Sequence, residues 1–325
     1  MSITTEYFQI LILKSNKILK KSENKKEFYD NVKKSYSDLL EKINKNEEKI
    51  YNIKNRNKII NYFYEDGKIC ENKVIEVITG DRRALEKVIK EIGVLEKNKD
   101  DKKLHNEFES IYKKFTNNEF GRTWGKKIGV EICPYCNRSF IYTTPKKGTR
   151  PQYDHYYPKS KYPYLALSMY NLIPCCPVCN NAKNAEDTFN NKSLLYPFEE
   201  EYGYDIYFEI ETEEQLCYLG LSNDFNLKIK SKENVEEDLG QKVQNSSKIL
   251  HIEELYNLHN DYVLKLLRSK YIFTDEYCQS LLDTYPNWFF DMNEVKNQLY
   301  FNSLQKEEWG EQILSKLTYD ILNSE

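Results

Sequence analysis

The chain has 325 residues, of which 30% are charged, and its mean hydropathy is −0.76. These values argue against an integral membrane protein, because no apolar run approaches the roughly 20 residues that a helix needs to cross a bilayer. The apolar run at residues 10–13 is followed by Lys14 and by no small-residue cleavage site, so it does not indicate a secretory signal peptide. We expect a soluble, cytoplasmic protein that does not engage a membrane.

The net charge of −3 hides a strong asymmetry along the sequence. Residues 1–198 contain 37 Lys and Arg against 25 Asp and Glu, whereas residues 199–325 contain 11 against 26. The basic excess is greatest in residues 120–198, with 11 basic and 4 acidic side chains. A local basic surface suits a phosphate-backbone substrate, because neutralising phosphates releases condensed counterions. The alternative is an ordinary lysine-rich surface, since the whole chain is rich in Lys, Asn, Ile and Tyr.

Residues 1–120 form a predominantly helical region without a recognisable motif. Apolar side chains recur there at the i, i+3, i+4 spacing of amphipathic helices. The predicted helices cover residues 27–43, 82–96 and 103–115, and Asp81 is a suitable N-cap for the second. Residues 49–64 fit a helix or a strand. We expect this region to pack on the rest of the chain or to dock a partner, with His105 at a solvated helix position.

Five of the eight cysteines lie between residues 133 and 179, and four of them form Cys-x-x-Cys pairs. The pairs are Cys133 with Cys136 and Cys176 with Cys179. Such pairs are typical of structural zinc sites, because each one turns the backbone so that two sulfurs converge on one ion. The fifth thiol, Cys175, offers an alternative pair with Cys179, although the repetition of the Cys-x-x-Cys spacing favours Cys176.

A folded element must occupy the residues between the two cysteine pairs. Residues 138–142 have a strand-like composition, residues 145–148 indicate a turn, and residues 150–156 would return as a second strand. Residues 180–184 then indicate a short helix. The sequence therefore predicts two strands followed by a helix, with Asp154 and His155 at the end of the second strand.

Beyond residue 195 the pattern changes to strands and then to helices. Residues 204–210 alternate apolar and polar side chains, and residues 216–221 and 225–229 are further candidate strands, so we expect a small antiparallel sheet. One helix is predicted over residues 249–271 and a closing amphipathic helix over residues 309–322. His251 and His259 lie in the first of these helices, where we expect satisfied cap or core side chains rather than ligands.

Asp154 and His155 are the candidate catalytic residues. A neutral imidazole can take a proton from water at physiological pH. A carboxylate binds a hard cation through oxygen, and the amide oxygen of Asn180 could complete a sparse Mg²⁺ site that leaves positions for phosphate and water. An isolated Asp-His dipeptide is more often structural than catalytic, so the interpretation depends on the residues around it.

Residues 133–183 resemble the HNH (ββα-metal) nuclease motif in its zinc-stapled form. That pattern has an Asp-His followed by a proline, an Asn-Leu before a Cys-x-x-Cys, and an Asn or His directly after the last cysteine, with a lysine three residues later. Every part occurs here in order, as Asp154-His155, Pro158, Asn171-Leu172, Cys176 to Cys179, Asn180 and Lys183. The resemblance covers about 50 of the 325 residues.

The resemblance implies an α+β protein with a small ββα-metal core, held by structural zinc, at residues 121–195. The helical region would precede this core, and the sheet followed by helices would occupy residues 196–325. His155 would be the general base, with Asp154 and Asn180 as ligands of Mg²⁺ or Mn²⁺. Asn171 would fix the loop and orient the His155 ring. The candidate nucleic-acid contacts are Lys183, Arg138, Lys159 and Lys161.

The implied activity is hydrolysis of DNA phosphodiester bonds by a metal-dependent endonuclease. Members of the family with long helical additions and a strand rich in Tyr and Phe after the core look like the nuclease subunits of bacterial anti-phage systems, either of the Septu type or associated with retrons. The partners would then be DNA and an ATPase, a retron-type protein or a second copy of the chain. The alternative function is a zinc-stapled nucleic-acid or protein-binding module that does not cut.

Overall fold

The computed structural model describes residues 18–46, 51–95, 102–144, 148–191 and 194–324, and the chain divides into two compact units. One unit consists of Lys14–Gly129 and Tyr142–Lys192 and carries 36 Lys and Arg against 23 Asp and Glu, so we call it the basic unit. The other contains Val130–Ile141 and Ser193–Glu325, carries 12 against 27, and is called the acidic unit. The segment boundaries at residues 120 and 195 stay predictions, and the apolar run at residues 10–13 lies outside the described residues.

The basic unit is mostly helical, with two small antiparallel sheets. Its elements in chain order are α1 (Ser22–Lys45), α2 (Ile53–Phe63), β1 (Tyr64–Glu65), β2 (Lys68–Ile69), α3 (Glu71–Thr79), α4 (Arg82–Ile92), α5 (Lys102–Asn117), α6 (Glu119–Lys127), β3 (Gln152–His155), β4 (Leu172–Cys175), α7 (Pro177–Lys183) and α8 (Thr188–Asn191). Short 3₁₀ turns at Pro163–Leu165 and Met169–Asn171 lie between β3 and β4.

The acidic unit combines one two-stranded sheet with helices that follow it in the chain. Its elements are β5 (Ile206–Glu211), β6 (Asn226–Ser231), α9 (Glu237–Leu250), α10 (Ile252–Asn257), α11 (Asn260–Ile272), α12 (Asp275–Thr284), α13 (Met292–Tyr300) and α14 (Ser315–Asn323). This order confirms the predicted sheet followed by helices. Residues 216–221 do not form a strand and instead contain a 3₁₀ turn at Gln215–Cys217.

The predicted N-terminal helices are confirmed as α1, α4 and α5, and they are amphipathic as expected. Asp81 is the N-cap of α4, where its carboxylate accepts a hydrogen bond from the backbone N–H of Ala84 at 3.0 Å. The helix ends at Ile92 rather than at residue 96, because Gly93 has a φ of 75° and a ψ of −175°, a non-helical conformation that favours glycine. In the part of the chain that the structure describes, no helix has both the length and the apolar character to span a bilayer.

Aromatic side chains form the core of the basic unit. Phe28 of α1 packs against Trp124 of α6 with ring centroids 4.8 Å apart, and both are fully buried. The Tyr36 hydroxyl donates to the backbone oxygen of Tyr164 at 2.8 Å, which fixes the segment between β3 and β4 against α1. His105 was expected at a solvated position, but it is 6% exposed and its Nε2 lies 3.1 Å from the Leu95 oxygen.

The strand pair before α7 differs from the predicted one. β3 pairs antiparallel with β4, with Asp154 opposite Ile173. The predicted pairing of residues 138–142 with residues 150–156 is wrong, because residues 152–155 pair with β4 and Phe140 forms an isolated bridge to Ile132. β4 was not predicted because its Leu-Ile-Pro-Cys sequence is buried on both faces, so it lacks the alternation that marks a half-exposed strand.

The predicted single helix over residues 249–271 is also wrong, because the chain divides it between α9, α10 and α11. His251 takes a left-handed conformation with φ of 54°, which ends α9 and begins α10. A second break, at Leu258 and His259, separates α10 from α11. Apolar spacing continues across both breaks because each helix buries one face, so periodicity alone does not detect them.

The acidic unit is held together by contacts of β5 with the last helix and with α10. The carboxylate of Asp320 in α14 accepts from the backbone N–H of Phe208 at 2.9 Å, and Phe208 stacks on Tyr256 with centroids 4.2 Å apart. The Tyr256 hydroxyl donates to the backbone oxygen of Cys136 at 2.7 Å. The first cysteine pair is therefore bonded to a helix of the same unit.

Candidate functional site

Helix α7 lies across one face of β3 and brings four polar side chains together. Alternate residues of a strand share a face, which places Gln152 and Asp154 on the same side of β3. Asn180 and Lys183 are about one turn apart on α7. The Asn180 side-chain amide donates to Gln152 Oε1 at 2.6 Å, and Lys183 Nζ lies 3.1 Å from Asp154 Oδ1. Two matched contacts therefore set the register of the helix on the strand.

His155 ends β3 and is held in one tautomer. Its Nε2 lies 3.1 Å from the backbone oxygen of Ala166, and a carbonyl oxygen can only accept, so Nε2 carries the proton of the neutral ring. Nδ1 is then the basic nitrogen. Tyr112 of α5 packs against the imidazole with ring centroids 4.6 Å apart, and His155 is 6% exposed. Burial is the main cause that lowers the pKa of His155 to about 3, and the charge of Lys159 acts in the same direction.

Asn171 is fully buried and ties both ends of the segment between β3 and β4. Its side-chain oxygen accepts from the backbone N–H of Tyr157 at 2.7 Å. Its amide nitrogen donates to the backbone oxygens of Tyr157 and Leu165, at 3.1 and 3.2 Å. Leu165 directly precedes Ala166, whose oxygen holds the His155 ring. Asn171 is thus bonded to the residue next to the one that contacts the imidazole, and its role in orienting His155 stays a prediction.

The oxygen donors of Asp154 and Asn180 suit a hard divalent cation. Carboxylate and amide oxygens are ligand types that Mg²⁺ and Mn²⁺ accept. The hydrogen bond from the Asn180 amide nitrogen to Gln152 turns Oδ1 of Asn180 away from Gln152. The Asp154 side chain is only 3% exposed, and a buried carboxylate is stable only beside a cation or hydrogen-bond donors. These features fit a metal held by few protein ligands, and their assignment as ligands stays a proposal.

The four predicted zinc ligands form a sulfur cluster. The Sγ atoms of Cys133, Cys136, Cys176 and Cys179 all lie within 4.8 Å of one another, and all four residues are buried. A tetrahedral zinc ion with Zn–S bonds of about 2.3 Å would separate the sulfurs by about 3.8 Å, so the cluster can hold one metal ion. Within the second pair, Cys176 is also the N-cap of α7, and its Sγ accepts from the backbone N–H of Cys179 at 3.4 Å.

Cys175 is not part of the cluster. It is the last residue of β4, where it lies opposite Gln152, and it is fully buried. Burial raises the pKa of the Cys175 thiol well above its usual range, which favours the protonated, non-ligating form. The sulfur cluster therefore contains Cys176 and not Cys175, and the assignment of Cys176 as a zinc ligand stays a prediction.

The candidate nucleic-acid residues occupy different surroundings. Lys159 lies beside the site, with Nζ 4.8 Å from the ring centroid of Tyr112. Lys161 forms an ion pair of 2.7 Å with Asp187. Arg138, in the acidic unit, donates from Nε to His259 Nε2 at 2.9 Å, so His259 is a satisfied, half-buried side chain as expected. The fourth candidate, Lys183, is turned inward, and for all four a nucleic-acid contact stays a prediction.

The sequence patterns do not predict three residues of the site region, which are Tyr112, Gln152 and Asn137. Tyr112 is remote in sequence and has no motif, so nothing predicted its contact with His155. Gln152 could have been found, because it lies two residues before Asp154 and strand alternation places both on one face. Asn137 follows the first cysteine pair and has φ of 48°, and an Asn after such a turn is a recognisable signal for a left-handed residue.

Comparisons with known proteins are informative only for the central segment. No curated protein matches the chain, and no solved structure matches it. A family model described as HNH endonuclease matches residues 133–186. These residues include the clustered cysteines and the β3, β4 and α7 elements, so this part of the chain is similar in sequence to HNH endonucleases.

Proposed function

We propose that the protein is a metal-dependent HNH endonuclease that hydrolyses DNA phosphodiester bonds, with His155 as the general base. The observation that carries the proposal is the environment of His155 inside the matched domain. A single tautomer leaves Nδ1 unprotonated and able to act as base, and the ring is held by the Ala166 oxygen and by Tyr112. The basic unit supplies the positive charge that a polyanionic substrate requires.

In this reaction His155 accepts a proton from water as the water oxygen attacks phosphorus. The bond from phosphorus to the 3′ oxygen breaks, the leaving oxygen takes a proton from solvent water, and His155 returns its proton to the solvent. A low pKa keeps the imidazole neutral and able to accept at physiological pH. The negative phosphate, once bound nearby, raises that pKa and strengthens the base. A divalent cation on Asp154 and Asn180 would supply neutralising charge for the scissile phosphate and the leaving oxygen.

The proposal is tested by incubating supercoiled plasmid with the purified protein and Mg²⁺ or Mn²⁺. We expect nicking or cutting by wild type and a loss of at least about 100-fold in His155→Ala, because a positioned general base contributes that much or more. His251→Asn is the matched control, since this histidine is exposed and Asn also tolerates its left-handed backbone. Equal cleavage by wild type and His155→Ala would remove His155 from the mechanism.

The same assay separates the alternative function and the substrate class. A zinc-stapled binding module would bind DNA without metal-dependent cleavage by any form of the protein. An RNA substrate in a parallel reaction identifies ribonuclease activity. Retention of Asp154, His155 and Asn180 together favours the enzyme over the inactive module, because an inactive module has no need of the whole set.

We also propose that this nuclease acts in bacterial defence against phage. The support is the resemblance to Septu-type and retron-associated nuclease subunits and the long helical segment, α1 to α6, that precedes the matched domain. Expression in a bacterial host should reduce phage plating, and His155→Ala should abolish the reduction. Equal plating of a panel of phages on hosts that carry the wild-type gene and on hosts that carry an empty vector would contradict this role.

A further inference from the structure

Lys183 is buried to an extent that lysines rarely reach. Its side chain is 0% exposed. A lysine is almost never buried this completely unless a counter-charge accompanies it, because its ammonium loses its hydration. The sequence predicts a phosphate contact for this ammonium, whereas the structure turns it towards the interior of the basic unit.

The counter-charge is the carboxylate of Asp154. Lys183 Nζ lies 3.1 Å from Asp154 Oδ1 and donates to the backbone oxygen of His155 at 2.8 Å. The Asp154 side chain is 3% exposed, so bulk water screens the pair weakly. One ammonium therefore holds the carboxylate and the backbone of the proposed base together.

We propose that Lys183 is the resting counter-ion of Asp154 and competes with the divalent cation for that carboxylate. The inference rests on the proposed function, in which Asp154 binds Mg²⁺ or Mn²⁺. Lys183 is then a positioning residue that holds Asp154 in place before metal binding and lowers the affinity for the metal. This role differs from the one that the sequence predicts for Lys183, which is binding of the substrate phosphate.

Competition follows from the charges and the burial. An ammonium and a divalent cation on one carboxylate repel each other across a few ångströms, in surroundings where little water reduces the repulsion. Without the ammonium that repulsion is absent. A buried carboxylate that has lost its neighbouring positive charge is also costly, and a bound cation relieves this cost. Removal of the Lys183 charge should therefore make metal binding more favourable.

The test compares wild type with Lys183→Met, which keeps an unbranched side chain without the charge. Mn²⁺ binding to the zinc-loaded full chain is measured by isothermal titration calorimetry. We expect Lys183→Met to bind Mn²⁺ at least about tenfold more tightly. Without added Mn²⁺ the variant should melt about 5–10 °C lower than wild type, and Mn²⁺ should raise its melting temperature more than that of wild type.

Two further variants make the result specific. Asp154→Asn, introduced into Lys183→Met, should abolish the gain in affinity. Lys161→Met removes a lysine of the same unit that pairs with Asp187 rather than Asp154, and it should keep the wild-type affinity. The inference would be overturned if wild type and Lys183→Met bound Mn²⁺ with equal affinity and Asp154→Asn abolished binding in both. The proposed function would then stay intact. Absence of Asp154-dependent Mn²⁺ binding in every folded form would overturn both.

A measurement on the wild type covers the case in which Lys183→Met does not fold. Crystal structures are determined with and without Mn²⁺, and the distance from Lys183 Nζ to Asp154 Oδ1 is compared. We expect the ammonium to leave ion-pair distance of that oxygen when Mn²⁺ binds. An ion pair that is unchanged beside a bound Mn²⁺ would overturn the competition.

Discussion

Asp154 and His155 are neighbours in sequence but face opposite sides of β3. Asp154 contacts Lys183 of α7, and His155 contacts Tyr112 of α5. Strand alternation thus places the carboxylate and the imidazole in separate surroundings, one beside a buried ammonium and one beside an aromatic ring. The two neighbouring side chains therefore differ in their electrostatic surroundings.

At the residue scale, zinc binding should depend on Cys176 and not on its neighbour. Cys176→Ser removes a clustered sulfur, so we expect the purified variant to lose its zinc equivalent and to lose solubility, because structural zinc contributes directly to folding. Cys175→Ser is the matched control and should retain one equivalent by elemental analysis. Zinc retained by Cys176→Ser and lost by Cys175→Ser would identify Cys175 as the ligand.

Glu201 should make the stability of the acidic unit depend on pH. Burial raises its pKa from 4.5 to about 7, although the ion pair with Lys306 acts in the opposite direction. Between pH 4.5 and 7 the folded protein keeps a proton that the unfolded chain releases, so this contribution is present at low pH and is lost as pH rises through that window. Its size is at most about 3 kcal/mol.

The Glu201→Gln variant tests this linkage. The variant cannot titrate, so its free energy of unfolding should fall less than that of wild type between pH 5 and pH 8. The measurement is urea denaturation at a series of pH values. Asp205→Asn, which alters an exposed ion pair with Lys232, is the control. Parallel pH profiles for wild type and Glu201→Gln would show that Glu201 is ionised throughout.

At the element scale, the loop of the first cysteine pair is fastened to α14 by Asn137. Its amide nitrogen donates to the backbone oxygens of Trp309 and Gln312, each at 3.1 Å. Its side-chain oxygen accepts from the Ser315 hydroxyl at 3.2 Å, and its backbone oxygen accepts from the Leu314 N–H at 2.7 Å. Contacts with residues more than 170 positions later in the chain therefore hold this loop in place.

Asn137→Gly should destabilise the protein by about 2–4 kcal/mol. Glycine keeps the left-handed backbone, so the loss reports the side-chain hydrogen bonds and the buried partners that they leave unsatisfied. Asn184→Gly is the matched control, because Asn184 has φ of 47° and is exposed, and it should change stability by less than about 1 kcal/mol. Urea denaturation measures the free energy of unfolding of both variants. Equal losses of stability would show that Asn137 contributes to stability through its backbone alone.

At the scale of the whole molecule, charge is divided between the units rather than balanced within each. The basic unit has an excess of 13 positive charges and contains β3, β4 and α7, whereas residues 130–141 and 193–325 of the acidic unit have an excess of 15 negative charges. A polyanion is attracted to the first and repelled by the second. The unit with the proposed base is thus also the one suited to a phosphate backbone.

DNA binding should therefore weaken steeply with salt. We expect the affinity to fall by more than about tenfold between low and physiological ionic strength, because each neutralised phosphate releases counterions. Lys159→Ala should reduce the slope of log affinity against log salt by about one. Lys265→Ala, an exposed lysine of the acidic unit, should leave the slope unchanged. Fluorescence anisotropy with labelled duplex measures both, and identical slopes would exclude Lys159 from the interface.

Local patterns in the sequence are sufficient to predict the residue types of the site and much of the helical framework. Cysteine spacing identifies the sulfur cluster, and apolar spacing identifies α1, α4 and α5, because both signals are local. The pairing of β4 with β3, the contact of Tyr112 with His155 and the ion pair of Lys183 with Asp154 are visible only in the folded chain. These features depend on contacts between residues far apart in the chain, and a local pattern records which side chains need burial but not which neighbour buries them.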